Sequence, residues 1–139
     1  MIKLAKEQLN NKSEYLFNIE MLDTKTEKLF SLISSIIKII EFQKCKDEIY
    51  SVFFSLVHFA DHNLKDLEII LKDLKSKTYN MQLNHNKDFV ENIIKLQNDY
   101  KAGKDNLCRN LLSFILKWSK EQKEIDKQSI IVFEKNKIC

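Results

Sequence analysis

The sequence predicts an all-α protein: an antiparallel up-down-up-down four-helix bundle with an N-terminal arm. Two observations carry this. The 139 residues include no proline and a single glycine, whereas strand-rich domains need frequent turn residues. Apolar residues also recur at three- and four-residue steps through four long stretches joined by short polar connections, and such segments pack most simply as a bundle. The length suits one domain, which at this size buries roughly two thirds of the surface its unfolded chain exposes.

Residues 1–18 form the expected arm: an amphipathic piece from Ile2 to Leu9, then the polar break Asn10-Asn11-Lys12-Ser13. The bundle is assigned to residues 19–139. Asp23 is suited to N-cap the first helix, whose stripe of Leu22, Leu29, Ile33, Ile36 and Ile40 also takes in Thr26 and runs to about Phe42. A second, longest helix is predicted from near Asp47 to about Lys77, with Ile49, Val52, Phe53, Leu56, Ala60, Leu67, Ile70, Leu71 and Leu74 inward. The third begins near Asn80, turns Phe89, Val90, Ile93, Leu96 and Tyr100 inward, and stops at Gly103, a natural residue for a helix end. The fourth opens at Asp105 and carries Leu107, Leu111, Phe114, Ile115, Trp118, Ile125 and Phe133.

Charge excludes some classes of function. The 23 basic and 20 acidic residues are mixed along the chain, so no segment offers the concentrated positive field that a nucleic acid backbone needs. Lys117, Lys120, Lys123 and Lys127 form a strip, but Glu121 and Glu124 interrupt it, as on a solvated helix face. Leu29 to Ile40 is too short and too polar to span a membrane, and the first residues lack the apolar run and cleavage site of a secretory signal. The three cysteines, Cys45, Cys108 and Cys139, show no CxxC spacing. Buried thiols account for the first two better than a bridge does, and a reducing cytoplasm is expected. No Ser-His-Asp set or glycine-rich phosphate loop is present, and three histidines leave little material for acid-base work, so the protein is not expected to be an enzyme.

The run from Ile19 to Ile33, with Asp23, Thr26, Leu29, Phe30, Leu32 and Ile33, resembles the opening of the hemerythrin-like family, of the bacterial type. Thr26 stands where that pattern has an iron-ligating histidine. Phe54 to Asn63 is similar to the family's second-helix motif, with His58 at a ligand position and His62 in place of a bridging glutamate. Gln82 and Asn86 fall where a His-x-x-x-His pair belongs, with His85 one residue out of register. After Trp118, Gln122 replaces a histidine and Asp126 sits one position early. The resemblance covers roughly residues 15 to 130, with about ten extra residues in the second helix. It implies a fold built around two irons that bind or sense oxygen, in a chain that has lost most of the ligands.

A dinuclear iron centre needs imidazoles and carboxylates converging from all four helices, and Thr26, Gln82, Asn86 and Gln122 supply neither. The expectation is therefore a metal-free bundle, without cofactor, in which these four form a hydrogen-bonded polar layer. Such a bundle would act as a binding or structural module for a protein partner. The alternative is a rearranged iron or zinc site, in an oxygen-binding or oxygen-sensing protein, drawn from His58, His62, His85 and Asp126. The four-residue spacing of His58 and His62 puts both rings on one helix face, though with Ser51, Ser55, Lys65 and Lys72, away from the apolar stripe.

Overall fold

The computed structural model describes residues 1–136 and is all-helical, with no strand among them. The helices are α1 (Ile2–Asn10), α2 (Glu20–Glu41), α3 (Cys45–Phe59), α4 (Lys65–Asp73), α5 (Tyr79–Lys101) and α6 (Leu107–Lys135). A 3₁₀ turn (Lys12–Tyr15) follows α1, and a π-helical turn (Ala60–Leu64) joins α3 to α4, so the expected second helix is one helical body with a widened turn inside it. It begins at Cys45 and ends at Asp73, short of Lys77. Helix α2 packs on α3 and α6, and α5 packs on α3, α4 and α6.

One cluster joins Ile33, Ile36, Phe53, Leu56, Phe89, Ile93, Leu111, Ile115 and Trp118, residues of α2, α3, α5 and α6. A smaller one gathers Leu22, Leu67 and Leu71, with Val132 and Phe133 partly buried against it. Each fully buried side chain of this kind contributes roughly 1.5–3 kcal/mol. Val90, expected inside, points outward and is exposed, and so is Phe54, at 72%.

The N-terminal arm is helical and joins the core. Ala5 and Tyr15 belong to the main cluster, Tyr15 stands edge-on to Phe30 at 5.0 Å, and Gln8 donates to the Ser119 hydroxyl at 2.6 Å. Asp23 does not N-cap α2, which starts three residues earlier; its carboxylate accepts the backbone N–H groups of Phe17 and Asn18 and so fixes the segment leading into the helix.

Cys45 and Cys108 form a disulfide, with Cα atoms 6.0 Å apart, and are not free thiols as the spacing suggested. The bridge ties the first turn of α3 to that of α6. Closing a loop between residues 63 apart is worth about 4 kcal/mol in the chain-entropy account. The argument from unpaired thiols for a reducing compartment therefore does not apply. Cys139 lies outside the described residues.

Three helix ends share one geometry. After α5, Gly103 takes φ +73°, its N–H bonds the Tyr100 carbonyl, and the Lys104 N–H bonds that of Asp99. Gln43 after α2 and Lys75 after α4 make the same pair of bonds at φ 55°, although neither is glycine. A left-handed conformation costs a non-glycine residue roughly 1–2 kcal/mol, against which glycine's greater unfolded-state freedom returns roughly 0.4–1 kcal/mol. Gln43→Gly and Lys75→Gly should each raise stability by about 0.5–1 kcal/mol in urea unfolding. A loss of stability in both would contradict the reading of these turns.

Candidate functional site

The predicted metal candidates do not converge. His58 and His62 are exposed, their rings 4.1 Å apart at the end of α3 and in the π turn. His85 on α5 is half-buried and stacked flat on Trp118 at 4.3 Å; its Nε2 bonds the Trp118 carbonyl, while the Trp118 indole N–H donates to the His85 carbonyl. Asp126 is in the core. No group of three or more His, Cys, Asp or Glu side chains is arranged to hold a metal among the described residues.

The interior instead contains a continuous hydrogen-bonded chain. The Lys25 ammonium of α2 donates to both carboxylate oxygens of Asp126, at 2.6 Å to Oδ1, with each side chain almost wholly buried. Gln122, one turn earlier on α6, donates from Nε2 to Asp126 Oδ1 at 2.8 Å and to Gln82 Oε1 at 2.6 Å. Gln82 Nε2 returns a bond to Gln122 Oε1 at 2.9 Å and reaches Asn86 Oδ1 at 2.7 Å. Asn86 Nδ2 then donates to the Leu64 carbonyl, at the end of the π turn, and to Glu68 of α4. One chain of side chains thus runs from α2 through α6 and α5 to α4. Thr26 is buried beside Lys25 but is not a member.

No buried side-chain nitrogen or oxygen among the described residues lacks a hydrogen-bond partner. Comparison with known protein families, curated proteins and solved structures finds no match. Burial disfavours both charges of the pair: desolvation pulls the Lys25 ammonium below the usual lysine range, opposed by Asp126, and pushes the Asp126 carboxyl up, opposed by Lys25 and by the Gln122 amide. A two-pronged contact with every remaining atom satisfied is the arrangement in which such a pair is tolerated.

Lys25 was not among the residues singled out from the sequence. The signal was present: it stands three residues after Leu22 and four before Leu29, on the stripe that also contains Thr26.

Asp126→Ala leaves the Lys25 cation unpaired and should cost about 3–5 kcal/mol in urea unfolding, whereas Lys25→Met/Asp126→Leu together should cost clearly less. A double variant as unstable as the single one would show that packing, not charge, sets the penalty.

His85 titrates with a definite sign. Burial lowers its pKa below the ordinary 6.5, so between its folded pKa and 6.5 the unfolded chain binds more protons and stability rises with pH. The contribution is complete above 6.5 and is lost as pH falls through the folded pKa. His85→Phe keeps a ring on Trp118 and should flatten the stability profile in that window; an unchanged slope would assign the dependence to other groups.

Proposed function

We propose that the protein is a non-catalytic module of hemerythrin-like descent, a four-helix up-down bundle with a helical N-terminal arm, whose interior is metal-free and whose surface binds a protein partner. The observation that carries this reading is the Lys25–Asp126–Gln122–Gln82–Asn86 chain. It unites three of the positions where the sequence resemblance implies lost ligands, Gln82, Asn86 and Gln122, around a fixed ammonium. A cation held there by the chain itself supplies positive charge in the core and leaves Asp126 no free oxygen. The cycle of packing from α2 to α3, α5, α6 and back to α2 supports the bundle topology.

With the interior occupied, the function falls to the outside. Tyr50 and Phe54, one turn apart on α3, are 70% and 72% exposed, with Val57 also exposed on that helix. Large aromatic side chains held in water on a rigid helix are suited to anchor a partner. A photo-crosslinking residue placed at Tyr50 or Phe54 in cells that make the protein should give a discrete adduct, and one at exposed Lys87 should not. Equal labelling at all three positions would sink the proposed surface.

A second reading, an iron- or zinc-binding protein of oxygen chemistry, is favoured only by the adjacency of His58 and His62. Elemental analysis of untagged protein purified without chelator separates the two. Metal well below one equivalent, with an unchanged melting temperature in chelator, is expected. Near two irons per chain with an oxo-iron absorption band would establish the second.

A further inference from the structure

The disulfide lies in a setting that neither the proposed partner surface nor the buried polar chain uses. Cys45 is the first residue of α3 and Cys108 the second of α6, so two helix N-termini meet at one sulfur–sulfur bond. Neither helix has a side-chain cap: Lys44 and Asn106 stand at the cap positions and make no capping bond. First-turn N–H groups are therefore free of side-chain acceptors at both ends, and such termini stabilise thiolates.

Both cysteines line a cleft of about 470 Å³ between the α2–α3 and α5–α6 connections. Among its other lining residues, Lys46 and Arg109 stand with one carboxylate, Asp105, while Lys104 is paired with Asp99 at 3.2 Å. Asp47 and Glu48 lie in the first turn of α3 but do not line the cleft. The two sulfurs differ in access: Cys45 is half-buried, whereas Cys108 is almost fully enclosed.

We infer that this cleft is a thiol–disulfide exchange site that accepts low-molecular-weight thiols bearing a net negative charge. The incoming thiolate attacks Cys45 Sγ, a bond forms between the two sulfurs, and the Cys45–Cys108 bond breaks with its electron pair passing to Cys108 Sγ. The leaving thiolate is held at the N-terminus of α6 beside Arg109. A second thiolate then attacks the thiol-derived sulfur of the mixed disulfide, releasing the small-molecule disulfide and the Cys45 thiolate. Two small thiolates are oxidised and the protein disulfide is reduced by two electrons. Lys46 and Arg109 draw the anion in, and the enclosure of Cys108 directs attack to Cys45. Reduction severs the covalent tie between the starts of α3 and α6, so the exchange couples thiol status to the helix that carries Tyr50 and Phe54.

The test uses the 139-residue chain carrying Cys139→Ser, so that only the pair can react. Purified in air, it should show no free thiol, and two after reduction. Reduction by glutathione, whose thiolate is a net anion, is compared with reduction by cysteamine, whose thiolate is a net-neutral zwitterion, at equal thiolate concentration, each normalised to its rate on hydroxyethyl disulfide. Glutathione should be faster on the order of tenfold at low ionic strength, and the advantage should shrink in salt. Lys46→Glu/Arg109→Glu, both at exposed positions, should abolish or invert the preference. Two free thiols in the air-purified protein, or normalised rates that do not depend on the charge of the thiol, would overturn the proposal.

Discussion

The ion pair between Lys25 and Asp126 is the constraint on which the rest of the interior depends. An ammonium in an apolar core is tolerated only with its counter-ion in direct contact and the remaining lone pairs engaged. That requirement locks the register of α2 against α6. It also makes Gln122 necessary, since its amide takes up Asp126 Oδ1 from the other side. Gln122 and Gln82 then satisfy each other through two antiparallel amide bonds, and Asn86 carries the surplus donors to α4. Each polar group is there because its neighbour would otherwise be orphaned, and one substitution propagates along four helices.

Much of this was legible in the sequence. The helical periods of Leu22 to Ile40, Ile49 to Leu74, Phe89 to Leu96 and Leu107 to Ile125 are long enough to leave no competing assignment, and Gly103 marks a helix end because only one backbone conformation asks for glycine there. Gln82, Asn86 and Gln122 were reached through the family resemblance, which implies an interior ligand position for each. Lys25 was harder to read because a lysine on an inward stripe is ordinarily assumed to snorkel outward along its aliphatic stem. What keeps it inside is Asp126, a residue 101 positions away that no local pattern connects to it.

Other features were illegible for equally definite reasons. The Cys45–Cys108 bridge depends on two helix starts meeting in space, and spacing along the chain carries no information about that. Gln43 and Lys75 adopt the left-handed conformation without the glycine that would announce it. The π turn at Ala60–Leu64 interrupts no apolar stripe, and the bond that Asn86 makes to its Leu64 carbonyl comes from another helix. Phe54 and Val90 fit a helical core pattern by spacing and are nonetheless outside, because each helix body has apolar residues on more than one face.

The most direct test is a crystal structure of the protein grown with iron(II) or zinc(II) present, with anomalous scattering recorded at the metal edge. The account predicts the Lys25 nitrogen within hydrogen-bond distance of both Asp126 oxygens and no anomalous peak in the interior. An interior metal bound by the Asp126 carboxylate, with Lys25 displaced from it, would contradict the account at its centre.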